Sequence, residues 1–390
     1  MTKSLSEFAS RSPGPGRATR LTVDLAAVVH NYRVGQQATG PEVALWPVVK
    51  ADGYGLGALP IAKALREAGA PGLCVALVEE AAALRGAGVT GPLILLSGLA
   101  GAAPGQLAGL DVQPFLYEPR GALDTLAGLP PGRGLSVHVK VDTGMGRLGL
   151  SPEAVPDFLE ALDRLGDRIR PVGLVSHLAC ADEPARPETA RQIEILETLL
   201  RHPRIAPRGL RVSMANSAGL LAHPGARGHW ARPGIMLYGS SPFYPAADWR
   251  AAGLRPVVTW TSRVAQISEK PAGTPLGYGH THTTVRPSRL AQVPVGYGDG
   301  YNRRLGNRAQ VLAGGTRAPV VGRVCMDLIT VDITHLPQVG VGDPITLLGR
   351  DGEEFISVEE MAGWLDTIPY EVTCALGRRV PRTYRTVGDS

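Results

Sequence analysis

Lysine is scarce in this sequence. Among 390 residues the lysines are Lys3, Lys50, Lys63, Lys140 and Lys270, and arginine carries nearly all of the surface positive charge. A lysine inside an apolar run is therefore not decoration, and Lys50 and Lys140 both lie in such runs. Cysteine is scarce too. Cys74, Cys180, Cys325 and Cys374 stand far apart with no CxxC pair, which argues against a structural zinc site and a disulfide framework and fits a reducing cytoplasm. No metal ligand set is expected. The net charge is +5, but no block of like charges occurs, so a nucleic-acid arm is not expected. The opening stretch MTKSLSEFASRSPGPGRATR lacks the apolar centre of a signal peptide. The most apolar stretch, residues 91–110, is broken by Pro104 and several glycines, which makes a membrane span improbable. What is present, 44% hydrophobic and 19% charged residues, fits a soluble globular chain long enough for two domains.

Residues 1–16 read as a Ser/Pro/Gly tail. Asp24 reads as the N-cap of an amphipathic helix running to about Tyr32. Short apolar runs then recur, predicting strands at 43–49, 73–77, 93–96, 112–116, 135–141, 172–176 and 211–214, with an eighth around 230–237. Helical spacing lies between them, at 59–67, 79–84, 154–165 and 189–200. Eight alternating units over residues 17–254 predict an α/β fold, a (β/α)8 TIM-type barrel with its site at the carboxyl ends of the strands. A doubly wound open sheet is the competing arrangement. From residue 255 to 390 the segments become short, alternating and rich in Val, Thr and Gly, which predicts a mainly β C-terminal domain with a helix near 358–365.

Six segments carry chemistry. In LWPVVKADGYGLG an apolar strand ends at Lys50 and enters a glycine-rich turn; burial there would lower the ammonium pKa and free an amine for Schiff-base formation. A snorkelling lysine, or an ion pair with Asp52, is the plainer alternative. In HVKVDTGMGRLGL, Arg147 offers a planar charged fork suited to a carboxylate or phenolate, although it could also cap a loop. His177 sits at a strand end, where hydrogen-bonded core histidines are common. Asn216 and Ser217 follow the seventh strand, where barrels often bind phosphate, and in ARPGIMLYG the amides of Gly234 and Ile235 lie close to Arg232. Tyr278, in LGYGHTHTT, reads by itself as a strand aromatic.

Together with PVGYGDGYNRRL, GRVCMDLITVD and PYEVTCALGRRVPR, these segments resemble the alanine racemases, from about Arg20 to Tyr384. The resemblance implies pyridoxal 5'-phosphate as cofactor, joined to Lys50, with Tyr54, Ser217, Gly234 and Ile235 on its phosphate and Arg232 on its pyridine nitrogen. It implies that Arg147 touches the phenolic oxygen and the substrate carboxylate, steadied by a carbamylated Lys140. Asn216 and Tyr370 join the cofactor site, and His177 links Arg232 to the second base. Lys50 and Tyr278 become the two bases, acting on D- and L-alanine respectively. Tyr278 reaches the site from the other subunit of a homodimer, Met326 meets the substrate carboxylate through its amide, and Tyr297 lines the gate with Arg303 behind it. The product D-alanine would supply peptidoglycan. Two positions depart from the family pattern: Gly277 stands where Ser is common and His282 where an aromatic is frequent. Three rivals stay open: a racemase accepting serine or lysine, a decarboxylase of similar layout, and a non-catalytic cofactor carrier. The decarboxylases carry a reactive-cysteine motif not found here, and a carrier would have no use for residues 255–390.

Overall fold

The computed structural model describes residues 17–99, 101–129 and 134–386, so the tail expected over residues 1–16 lies outside the described residues. The chain divides into two compact units, Ala27–Arg255, and Met1–Ala26 together with Pro256–Ser390.

The first strand, β1 (Arg20–Asp24), corrects the sequence reading, which gave residues 17–24 to the barrel. It pairs antiparallel with Val258–Arg263 and parallel with Arg382–Arg385, inside the β-rich unit. The physical reason is its alternation: Leu21 and Val23 are fully buried and the residues between them are not, a pattern made for a one-sided antiparallel sheet. The helix that follows, Leu25–Thr39, runs well past Tyr32 because nothing interrupts it before Gly40, which takes φ 73°.

In the unit Ala27–Arg255 the strands are β2 (Ala44–Leu45), β3 (Leu73–Val75), β4 (Leu93–Leu95), β5 (Val112–Leu116), β6 (Leu135–Lys140), β7 (Ile169–Val175), β8 (Arg211–Ser213) and β9 (Trp230–Ala231). Strands β3 to β8 form one parallel sheet in chain order, and β2 pairs parallel with β9. Main-chain bonds close the ring. His229 N–H donates to the Val212 carbonyl and Arg232 N–H to the Ala215 carbonyl, each at 2.9 Å. On the other side Cys74 N–H donates to the Pro47 carbonyl, and Val49 N–H to the Cys74 carbonyl, each at 2.8 Å. The described residues thus form a closed eight-stranded α/β barrel, and β3 and β4 are buried on both faces as such strands must be.

Two details differ from the sequence reading. The eighth strand stops at Ala231 because Pro233 has no N–H to offer a ladder, and the chain turns into the 3₁₀ segment Ile235–Tyr238. Helices Pro104–Leu110 and Pro119–Ala127 were not anticipated; each has a proline in its first turn, where it starts a helix rather than breaking one.

The β-rich unit holds an antiparallel sheet built on Val258–Arg263 and Pro344–Asp351, and a second of Gln266–Lys270, Ser288–Val293 and Ile329–Asp332. Trp260 meets Tyr301 edge-on in its core, ring centroids 5.7 Å apart. Helix Val358–Leu365 lies where its spacing predicts it. No helix of the described residues is long and apolar enough to cross a membrane.

Candidate active site

Lys50 opens the segment KADGY, whose backbone is unusual. Ala51, Asp52, Gly53 and Tyr54 take φ values of 52°, 53°, 61° and 54°, a left-handed turn. Such a conformation costs an ordinary L-residue about 1–2 kcal/mol. Gly53 adopts it freely, whereas Ala51 and Tyr54 are strained, so the turn is held from outside. Glu80 does this with both oxygens: Oε1 accepts from Ala51 N–H at 2.6 Å and Oε2 from Ala76 N–H at 2.7 Å. Asp52 Oδ1 accepts from Ala58 N–H at 2.9 Å and closes the far end. Strain maintained in this way concentrates at functional positions.

The turn buries Tyr54, whose ring stacks on Tyr238 at 4.3 Å between centroids. Its hydroxyl comes up against Gly234, where a Cβ would stand only 2.4 Å away, so no larger residue fits. Ser217 Oγ accepts from Gly234 N–H at 2.9 Å and from Met236 N–H at 3.4 Å. The N–H of Ile235, first in its 3₁₀ turn, has no acceptor among the described residues. Tyr54, Ser217, Gly234 and Ile235 therefore meet in one glycine-lined recess of hydroxyl and amide donors, a set suited to a phosphate. Asn216 is used otherwise: its Oδ1 accepts from Gly219 N–H at 2.9 Å and caps helix Ser217–Ala222.

Around this recess the barrel mouth is cationic. Lys140, the last residue of β6, is buried, and burial, Arg232 and Arg147 push its ammonium down to about 8 against the partial opposition of Asp142. Arg232 is buried without a carboxylate among the described residues, and desolvation pulls its pKa down to about 10. Its guanidinium donates to Ser213 Oγ and, at 2.6 Å, to the Ser176 carbonyl. It lies 5.5 Å from the Trp230 ring and 5.7 Å from Phe115, where the aromatic faces favour a cation. Burial and the nearby charges of Arg232, Lys140, Arg147 and Lys50 hold His177 well below its ordinary value, so its imidazole is neutral. The link expected from His177 to Arg232 is absent from the hydrogen bonds of the described residues, because the serine hydroxyl and the main chain occupy the guanidinium.

Arg147 projects from a loop organised by Asp142. Its Oδ1 accepts from the amides of Gly144 and Met145 at 2.9 Å and of Gly146 at 3.1 Å. Burial works to raise the Asp142 carboxyl, yet these amides outweigh it and hold the group below its ordinary value. Behind the loop, Thr143 Oγ1 meets Ser176 Oγ at 2.8 Å, and Gln192 Nε2 donates to Thr143 Oγ1 at 3.2 Å and to the His177 carbonyl at 2.9 Å. Glu80, Asp142, Gln192 and Ser213 were not among the expected site residues. The Asp-x-Gly start of the loop signals an acceptor for turn amides; the other three bond to partners distant in sequence and leave no local mark.

In the β-rich unit Tyr278, Tyr297 and Met326 line one open cavity of about 910 Å³ with Asn302 and Arg303. Tyr278 is 70% exposed and Met326 54% exposed. Gly277 has φ 64°, which explains glycine at a position where serine is common. Tyr370 lies on helix Pro369–Cys374, and Ala375 just beyond that helix reaches the same cavity.

The comparisons with known proteins agree with this geometry. The family described as "Alanine racemase, N-terminal domain" matches residues 23–242, and "Alanine racemase, C-terminal domain" matches residues 257–384. An alanine racemase of Symbiobacterium thermophilum is 45% identical over 376 residues, covering 94% of this chain and 97% of its own. The solved biosynthetic alanine racemase of Pseudomonas aeruginosa superposes with a TM-score of 0.85 at 35% identity, over 95% of this chain and 100% of its own. That of Bartonella henselae, with covalently bound pyridoxal phosphate, gives 0.84 at 31% identity over 95% and 100% of the two chains. On the strength of both domain matches and of relatives aligned over nearly its full length, the chain belongs to the alanine racemase family.

Proposed function

We propose that the chain interconverts L- and D-alanine with pyridoxal phosphate bound at the barrel mouth. The observation that carries this reading is the chemistry of that mouth. Arg147 and Arg232 stand there with no ion pair among the described residues, Asp142 offsets Lys140 only in part, and a recess of amide and hydroxyl donors lies beside Arg232. A surplus of partly buried positive charge suits an anionic cofactor and a substrate carboxylate. Tyr54, Ser217, Gly234 and Ile235 would hold the phosphate, with Asn216 and Tyr370 beside it, and Arg232 would serve the pyridine nitrogen. Covalently held at Lys50, the cofactor supplies the electron sink that lets the Cα–H bond ionise.

The residues do the remainder. Lys50 takes or returns the proton on the face used by D-alanine, and Tyr278 serves the face used by L-alanine. Each contributes on the order of 10²–10⁴-fold as an acid–base group. Arg147 and the Met326 amide anchor the substrate carboxylate, and Tyr297 lines the approach. Lys140, its ammonium weakened to about 8 by burial and by Arg232 and Arg147, releases its proton more readily than an ordinary lysine and is an amine able to take up carbon dioxide; as a carbamate it would pair with Arg147.

Tyr278, Tyr297 and Met326 present a large exposed apolar surface on the β-rich unit. This supports a homodimer in which Tyr278 of the partner subunit completes each site. Four free, separated cysteines support a reducing cytoplasm, and D-alanine made there would supply peptidoglycan. Two measurements test the assignment. Borohydride reduction of the yellow holoenzyme should fix the cofactor to Lys50. Tyr278→Phe should abolish Cα-proton exchange from L-alanine while D-alanine still exchanges through Lys50; equal loss from both would point to a single base.

A further inference from the structure

The segment VGYGDGY places glycines at 296, 298 and 300, and the role given to Tyr297 does not account for them. Each one presses against a neighbouring group. A Cβ on Gly296 would stand 2.3 Å from the carbonyl oxygens of both Cys325 and Met326; on Gly298, 2.5 Å from Arg379 Nη2; on Gly300, 2.2 Å from the Ala375 carbonyl oxygen. The loop thus lies flat on the peptides around Met326, and its amides reach across. Tyr297 N–H donates to the Cys325 carbonyl at 3.0 Å and Gly298 N–H to the Met326 carbonyl at 2.9 Å.

Arg379 completes the clamp. Its Nη2 donates to the Met326 carbonyl at 3.3 Å and to Asp327 Oδ1 at 2.7 Å, while its Nε donates to Asp299 Oδ1 at 2.7 Å. Asp299 is 0% exposed; its Oδ2 accepts from Gly296 N–H at 3.1 Å, and Arg17 also donates to the Oδ1 that Arg379 uses. A carboxylate so buried persists only because its donors surround it. A trans peptide is planar, with N–H opposed to C=O. With the Cys325 carbonyl fastened to Tyr297, the Met326 N–H must point the other way, and it has no acceptor among the described residues.

We propose that Asp299 and Arg379 are positioning residues that lock the two peptides bracketing Met326, so that its N–H is held out as a preset donor for the substrate carboxylate. The proposal rests on the reading of Met326 as that anchor. A donor fixed in advance binds an anion without the entropic cost of ordering a mobile peptide. Asp299 and Arg379 touch neither substrate nor cofactor in this scheme.

The test uses the holoenzyme and acetate, a carboxylate with no amine to react. Arg379→Met should raise KM for both alanine enantiomers and the inhibition constant of acetate by roughly ten-fold, with kcat within about two-fold of the parent, the pattern of lost uniform binding. Arg379→Lys, which restores a cation but not the fork, should recover part of the loss. The exposed neighbour Arg378, changed to Met, should alter nothing. Met326→Pro, which deletes the N–H, tests the underlying anchor, with melting curves checking that every variant folds. Unchanged acetate binding in Met326→Pro sinks the anchor reading itself. Weakened binding there, with normal binding and lower kcat or stability in Arg379→Met, sinks the positioning role alone.

Discussion

Replacing Lys140 with methionine keeps its length and apolar stem but removes the amine. Burial, Arg232 and Arg147 push the ammonium down to about 8 from an ordinary 10.5. At about 1.4 kcal/mol per pH unit, that is about 3 kcal/mol of charge held in an unfavourable place. The sign follows from proton linkage. Below pH 8 the lysine is charged in folded and unfolded chains alike, and the fold carries the full cost. Between pH 8 and 10.5 the folded chain has released the proton while the unfolded chain still binds it, so stability rises with pH. Lys140→Met should therefore be more stable than the parent at pH 7, by an amount that shrinks by about 3 kcal/mol as pH rises to 10.5. Urea unfolding of both holoproteins in CO2-free buffer measures this gap. A gap that does not change with pH would refute the claim that its surroundings disfavour the ammonium. Adding bicarbonate at pH 8 tests the carbamate: it should stabilise the parent and leave Lys140→Met unmoved. An equal response in both would remove the carbamate from the scheme.

Other expectations follow from particular contacts. Mixing Lys50→Ala chains with Tyr278→Ala chains should restore partial activity if each site draws on two subunits; no recovery, with subunit exchange confirmed, would mean each chain builds its own site. Glu80→Gln cannot satisfy both the Ala51 and Ala76 amides as a carboxylate does, and should loosen the cofactor by roughly ten-fold, about 1–2 kcal/mol, in an absorbance titration. Full cofactor affinity in that variant would show that the left-handed turn needs no such support. Arg232→Glu should slow racemisation and raise pyruvate as a by-product of transamination, because a carboxylate can share a proton with the ring nitrogen and arginine cannot; inactivity without pyruvate would leave Arg232 a purely structural cation.

The barrel was legible because its strands are short apolar runs separated by helices, and both signals are local. The eight predicted positions all carry strands, though mostly shorter ones. The strand Arg20–Asp24 was misassigned for a different reason: its alternation says that it pairs in a one-sided sheet, but nothing in it names the partner. Strand Arg382–Arg385, which it joins in parallel register, lies at the other end of the chain. Helices Pro104–Leu110 and Pro119–Ala127 are hard to see in the sequence because they are short and each begins at a proline, a residue that also ends helices; in the first turn it merely lacks an N–H that the helix would leave unpaired anyway.

The site divides along the same line. Lys50 and Arg147 stand out from their glycine-rich surroundings as candidates, and the family resemblance adds Tyr54, because the turns that display them are written beside them. What fixes them could not. Glu80 holds the strained turn at Lys50 from the next βα unit, and Ser213 and the Ser176 carbonyl hold Arg232 from two other strands. Sequence favours an acidic partner for a buried arginine, since ion pairing is the common way to bury one. Here the supports are neutral: a hydroxyl, a carbonyl and two aromatic faces. Neutral supports steady the guanidinium without cancelling its charge. The distinction matters for the chemistry proposed. An arginine paired to aspartate would be a structural element with little field left over, whereas Arg232 keeps its positive charge available to whatever stands before it. The same holds for Asp142, whose charge goes to the loop amides rather than to Arg147. In neither place does a carboxylate pair with the arginine, so both guanidinium charges are left unspent, an arrangement suited to a ligand that brings the negative charge.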